Sequence, residues 1–193
     1  AMPTVAIVYH SGYGHTKAVA ELVHKGADGV EGIDAKLIHV DELPPPGPDK
    51  TYGGRWQDLH DAATIIMGCP TYMGSVSAGL KTFMESTSPL WMKQAWKDKL
   101  AAGFTNSGGL SGDKVNAMTD IAIFAAQHSM IWISQGLFPD GTGTNRLGGW
   151  LGLLTQSQQA PPDKTPPEED RRTAELFGER VAKATLRWGP ATE

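Results

Sequence analysis

Residues 4–20 read TVAIVYHSGYGHTKAVA, and the change of pattern inside them sets the expectation for the whole chain. Val5 to Tyr9 is a continuous apolar run rich in β-branched residues, as in a strand buried on both faces. Ser11 to Thr16 interrupts it with small and polar residues. From Thr16 onward Ala18, Val19, Leu22 and Val23 recur at helical spacing. Strand, short polar loop and helix aim unpaired backbone N–H groups and the positive end of a helix at one point, which makes an anion site. Ser11 and Thr16 add hydroxyl donors, while Gly12 and Gly14 let the backbone approach a phosphate closely. A βα turn that binds nothing can carry the same wording, because neither a P-loop nor a G-x-G-x-x-G fingerprint is present.

Composition narrows the classes. The 193 residues suit a single domain with a sizeable core. A net charge of −4 without any basic run argues against nucleic acid or an anionic membrane surface as a partner. The single cysteine, Cys69, excludes an internal disulfide framework and a cysteine-based metal site, and no metal is expected. Its place at the end of an apolar run suits a buried thiol. No stretch reaches the ~18 apolar residues of a membrane span, and no charged segment leads into an apolar one as in a signal peptide. A soluble, cytoplasmic protein is the expectation.

Downstream, strand-like runs alternate with helical patterns. Residues 35–40 read as a second strand, and 41–54 as an irregular connection holding four of the thirteen prolines. A short helix is expected over 55–61, then a third strand over 63–69 that Pro70 breaks. A helix follows from about Ser77 to Met84, and residues 86–98 are mixed. A fourth strand at 99–105 ends in the polar loop 106–112. A helix over 114–127 leads to a fifth strand at 129–134. Residues 136–162 are Gly-rich and irregular, and a charged stretch at 164–170 runs into a closing helix from Glu168 to Leu186. Such alternation implies a parallel sheet covered on both faces. Five strands give the flavodoxin-like α/β sandwich of three layers, in one domain, with order 2-1-3-4-5 and a switch point between strands 1 and 3.

Ligands of open α/β sheets bind beyond the strand carboxyl ends at that point. Three loops converge there. The first is Ser11, Gly12, Tyr13, Gly14, His15 and Thr16. The second is Pro70, Thr71, Tyr72, Met73 and Gly74, and the third is Thr105, Asn106, Ser107, Gly108 and Gly109. One offers an anion cradle, and the other two offer backbone N–H and hydroxyl groups to a flat polar heterocycle. A mononucleotide fits. FMN fits better than a nucleoside triphosphate, since no Lys-Ser/Thr pair or acidic metal site accompanies the cradle.

The segments SGYGHT (11–16), GCPTYMG (68–74), LKTF (80–83), Leu90-Trp91 and QHSM (127–130) resemble the WrbA-type NAD(P)H:quinone oxidoreductases, and the likeness runs to about Gly136. The resemblance implies an FMN-binding, flavodoxin-like and tetrameric enzyme, with NADH or NADPH as donor and small molecules as substrates. At matching positions it implies that Ser11 and Tyr13 to Thr16 hold the FMN phosphate. Pro70 to Gly74 would line the isoalloxazine, with a backbone N–H near N5. Thr105 to Gly109 would meet the ribityl and pyrimidine side, and Trp91 and His128 would act in the cavity over the flavin as catalytic candidates. The family commonly has Arg and Phe after Pro-Thr, where this chain has Tyr72 and Met73. The cation that would meet a nicotinamide phosphate is therefore missing, and Met73 makes a softer wall. Residues 141–152 also depart from the family's wording.

Three expectations follow. His128 lies at the start of the fifth strand, and a six-residue strand spans roughly 20 Å, so it should reach a neighbour's cavity rather than its own. A homo-oligomer, dimer or tetramer, is then expected, with a surface or capping histidine as the other reading. Arg146 follows the fifth strand, at the edge where the FMN loops lie; either it replaces the missing Arg as a substrate-binding cation, or it merely solvates the loop or binds a carboxylate of the closing helix. Without a second dinucleotide fold, donor and acceptor share one cavity, so the enzyme reading is two-electron quinone reduction by a ping-pong mechanism. The alternative is a flavodoxin-type electron carrier or a non-catalytic FMN-binding module, for which a charge of −4 gives little of the acidic docking face a carrier uses.

Overall fold

The computed structural model describes residues 2–189. Strand β1 (Thr4–Tyr9) is buried at every position after the first, which is what its unbroken apolar run requires. It lies parallel between β2 (Asp34–His39) and β3 (Thr64–Tyr72). Strand β5 (Leu100–Ser107) extends the sheet beyond β3, again in parallel, while the two-residue β4 (Ser75–Val76) folds back antiparallel on the end of β3.

The fifth position of the sheet is filled by two short pieces. Strand β6 (Ile131–Trp132) pairs with Leu100 and Ala101 at the start of β5. Strand β7 (Leu153–Gln156) pairs with Phe104 to Ser107 at its end. The expected order 2-1-3-4-5 is therefore present, with its last strand split by an excursion over residues 133–152. Gly152 returns the chain to the sheet where no side chain fits: a Cβ there would lie 2.5 Å from the Gly103 carbonyl and 2.4 Å from Met118 Sδ. Part of the stretch read as irregular thus forms a strand, and the fifth strand proper is shorter than its apolar pattern suggests.

Pro70 does not end β3. Tyr9 is the last residue of β1 to pair with β3, opposite Gly68, so at Pro70 the strand is free on that side and the missing N–H leaves no ladder bond unmade.

Alternate strand residues face two apolar layers. Val5, Ile7 and Ile66 pack under α1 (His15–Asp28) and α6 (Glu168–Trp188), with Val19, Val23, Phe177 and Val181. Ala6, Val8, Ile65 and Met67 pack on the other side. There Trp56 of α2 (Trp56–Asp61), Leu80 and Phe83 of α3 (Ala78–Ser86) and Ile121 of α5 (Lys114–Gln127) cover them. A short α4 (Ser88–Met92) leads from α3 toward β5. Helices α1 and α6 cross at Gly26 and Gly178, where a Cβ would sit about 2 Å from a backbone carbonyl of the facing helix. Among the described residues no helix is long and apolar enough to cross a membrane, and no group of three or more His, Cys, Asp or Glu side chains is placed to hold a metal ion.

Candidate functional site

The loops after β1, β3, β5 and β7 meet at one sheet edge and enclose a cleft of about 180 Å³. Gly12, Tyr13, His15 and Thr16 line it from the first loop, Pro70, Thr71 and Tyr72 from the second, and Asn106, Ser107 and Gly108 from the third. Ser157, just past β7, completes it.

The first loop is built as a neutral anion cradle. Ser11 Oγ accepts the N–H groups of Gly14 and Lys17, both at 3.1 Å, and so fixes the turn. Gly14 caps α1 in the left-handed region (φ 95°), has no side chain to bond the first amides, and no acid stands in the first turn. Among the described residues, the amides of Gly12, Tyr13, His15 and Thr16 meet no acceptor. The nearest imidazole is occupied, since His15 Nε2 lies 2.7 Å from the Ala160 carbonyl. Unpaired amides at the positive end of a helix are the donor set that a phosphate monoester requires.

The second loop is a hairpin. Thr71 pairs with Val76 and Tyr72 with Ser75, and the two-residue turn between them, Met73 (φ 48°) and Gly74 (φ 77°), has both residues in the left-handed region. That is the backbone of a type I′ turn, whose twist matches the flanking strands. Tyr72 is thereby laid across the first loop. A Cβ on Gly12 would lie 2.1 Å from its hydroxyl, so the glycine makes the space the phenol uses. Tyr13, 81 % exposed, stands edge-on to Tyr72 with ring centroids 6.5 Å apart.

The third loop is polar and braced from behind. Asn106 Oδ1 accepts the hydroxyls of Thr155 (2.8 Å) and Ser157 (3.1 Å), which turns the amide nitrogen away from them. Lys114 Nζ donates to Ser107 Oγ and to the Gly109 and Leu110 carbonyls at 2.7, 2.7 and 2.9 Å. Burial lowers the Lys114 pKa to about 8, with the Asp170 carboxylate opposing the change and the Arg146 guanidinium adding to it.

Several expected residues lie elsewhere. Thr105 is fully buried, and its hydroxyl bridges the Cys69 carbonyl (2.8 Å) and the Thr71 hydroxyl (2.7 Å), so it ties β3 to β5 instead of facing the cleft. Ser11, Gly14, Met73, Gly74 and Gly109 shape the loops without lining it. Burial pushes the Cys69 thiol up to about 11, as suits an inert core group.

His128 and Trp91 are not brought to the cleft. His128 follows α5 beside the start of β5, one eight-residue strand away from the site, roughly 25 Å. It is 1 % exposed, with Nε2 at 2.8 Å from Thr87 Oγ1 and the rings of Trp96 and Phe124 each 4.8 Å away. Burial lowers its pKa to about 4. The side chain is enclosed within its own chain, as the C-cap residue of α5. Trp91, on α4 at the same end, is partly exposed.

Arg146 takes the second of its two readings. Its Nε and Nη2 meet the Asp170 carboxylate at 2.6 and 2.9 Å, and Nη2 also reaches Gln156 Oε1 at 3.2 Å. The guanidinium is thus held by the closing helix.

Ser157, Lys114 and the strap that carries Ala160 escape the sequence reading. A signal exists for two of them. Leu153 to Ser157 is a short strand-like run followed by turn residues, and it stands where a fifth strand would end. Lys114 places a cation in the first turn of a helix, where the dipole disfavours one.

Comparison with known proteins agrees with this geometry. The family model described as NADPH-dependent FMN reductase matches residues 4–145. Flavodoxin FldP of Pseudomonas aeruginosa is 37 % identical over 188 residues, which is 94 % of this chain and 96 % of that protein. The flavodoxin, WrbA-like protein of Agrobacterium tumefaciens superposes with a TM-score of 0.71 at 32 % identity, over 96 % of this chain and 98 % of that one. A flavodoxin from the Archaea shares the fold, with a TM-score of 0.64 at 20 % identity over 95 % and 99 % of the two chains.

Proposed function

The chain belongs to the NADPH-dependent FMN reductase family, and from that premise we propose an FMN-dependent oxidoreductase that passes two electrons from NAD(P)H to a quinone or a similar acceptor. The observation that carries this reading is the set of unpaired amides at Gly12, Tyr13, His15 and Thr16 beside the polar Asn106–Gly108 loop in one cleft. When bound, FMN supplies the hydride and electron chemistry. The protein supplies the hold on it.

The four amides and the Thr16 hydroxyl take the phosphate, with Ser11 fixing their direction and the α1 terminus adding favourable potential. Asn106 Nδ2 and the backbone of Ser107 and Gly108 meet the polar edge of the ring system. Pro70, Thr71 and Tyr72 form one wall and Tyr13 another. A cleft of about 180 Å³ is smaller than the ~300 Å³ or more that enclosing a ligand takes. The exposed rings of Tyr13 and Tyr72 stand at its rim, where they would flank a bound flavin.

In this reading donor and acceptor share the cleft and enter it in turn. Initial rates at several fixed quinone concentrations should give parallel double-reciprocal lines against NADH or NADPH, and intersecting lines would contradict sequential use of one cavity. A homo-oligomer is supported by apolar side chains left exposed on α4 and α5, namely Trp91, Met92, Val115 and Ile123. The carrier reading is favoured by the 37 % identity to a protein named a flavodoxin. Steady-state oxidation of NAD(P)H with benzoquinone separates the two, because a carrier leaves the nicotinamide unspent.

A further inference from the structure

Lys114 is 1 % exposed, yet among the described residues it meets no carboxylate. Its three acceptors, Ser107 Oγ and the Gly109 and Leu110 carbonyls, are neutral and belong to the loop that forms one side of the cleft. The nearby acid, Asp170, is already taken by the Arg146 guanidinium and by the Gln156 amide at 2.8 Å. With Lys114 and Arg146 as cations and Asp170 as the anion, the cluster behind the loop carries one net positive charge. A neutral donor would hold the same carbonyls without desolvating an ion. The loop alone therefore does not account for the charge.

We propose that Lys114 is a positioning residue whose buried charge makes the cleft bind FMN more tightly in its reduced, anionic form than in its oxidised form. This rests on the reading of the cleft as an FMN site. Two electrons and one proton entering the neutral ring system as a hydride leave one negative charge on it, and the oxidised nicotinamide departs with the compensating positive charge. The negative charge gathers on the ring's nitrogen- and oxygen-bearing edge. Asn106, Ser107 and Gly108 supply donors to that edge, and Lys114 holds the same loop through Ser107 Oγ and the Gly109 and Leu110 carbonyls. A charge fixed in place before the ring is reduced stabilises it without reorganisation. With its pKa at about 8, Lys114 remains charged at neutral pH.

The test compares affinities for FMN and for dithionite-reduced FMN under argon, in the whole protein and in two variants. Lys114→Gln keeps donors for the loop and removes the charge. It should leave the affinity for oxidised FMN within about threefold and cut the preference for the reduced form on the order of tenfold, as expected for a unit charge acting over about 10 Å at an effective dielectric near 20. For a two-electron couple, tenfold lowers the midpoint potential of the bound flavin by about 30 mV. Lys114→Met also loses the donors, so both affinities should weaken while the ratio falls by the same factor. A ratio unchanged in both variants overturns the proposal and leaves Lys114 a tether of the loop. Failure of the unsubstituted protein to bind FMN in either form overturns the reading of the cleft, and the proposal with it.

Discussion

Arg146→Ala separates a structural arginine from a substrate-binding one. The Asp170 side chain is 3 % exposed and the Arg146 side chain 27 %. Removing the guanidinium leaves a buried carboxylate without two of its three hydrogen bonds, those at 2.6 and 2.9 Å. Breaking a buried pair from one side costs about 3–5 kcal/mol. Part of this is recovered here, because Asp170 keeps the Gln156 amide at 2.8 Å and stands in the first turn of α6, a location worth about 0.3–1 kcal/mol to an acid. Arg146 is also partly hydrated, which reduces what it contributes. The net loss comes to roughly 2–3 kcal/mol. In a domain of this size each kcal/mol moves Tm by about 2–4 °C, so thermal unfolding followed by circular dichroism should show a drop of about 4–12 °C. Asp170→Asn in the same background should restore part of it, giving a coupling of about 1 kcal/mol or more in the double-mutant cycle. The Michaelis constant for NAD(P)H should not move. A variant of full stability with a raised nicotinamide constant would refute the reasoning and return Arg146 to the substrate.

Three further outcomes are expected. Thr16→Val removes a hydroxyl from a charged phosphate and should weaken FMN binding by about 1.5–3 kcal/mol, tenfold or more by quenching of flavin fluorescence; an unchanged affinity would remove Thr16 from the cradle. His128 is held neutral in the fold, with its pKa near 4 against an ordinary value of about 6.5. The stability this provides is complete above pH 6.5 and is lost as pH falls toward 4. After allowance for relaxation the loss is roughly 2–3 kcal/mol; urea unfolding at pH 7 and pH 4.5 should show it, and His128→Gln should abolish it. Met73 occupies a left-handed position in full exposure, so Met73→Asn should stabilise the ligand-free protein by about 0.5–1 kcal/mol. A destabilised variant would mean that Met73 makes a contact its exposure conceals.

Much of the fold was legible because burial on both faces writes itself as an unbroken apolar run. β1 is the clear case, and the loop after it follows from the switch to small and polar residues. β6 and β7 were not legible in the same way. At two and four residues, each is specified less by its own propensity than by the half of β5 it lies against, and the residues that divide them are separated by a long excursion in sequence. Pro70 misled for a related reason. A proline ends a strand when a neighbour needs its N–H, and the shortness of β1 means that none does. In the site, the convergence of the loops after β1, β3 and β5 on one cleft could be read from the alternation of strands and helices. His128 could not: a histidine enclosed between Trp96 and Phe124 and bonded to Thr87 has the same local sequence as one that faces a cavity. The environment of Arg146 depended likewise on an acid in the distant closing helix, 24 residues away.

The central claim is that the cleft holds FMN where NAD(P)H can reduce it. An anaerobic absorbance titration tests this most directly. The protein is saturated with FMN and freed of excess, then titrated with NADH or NADPH without an acceptor, and benzoquinone is added last. One equivalent of one nicotinamide should bleach the flavin band, and one equivalent of benzoquinone should restore it. A protein that retains no FMN, or whose bound FMN stays oxidised under both nicotinamides, would contradict it.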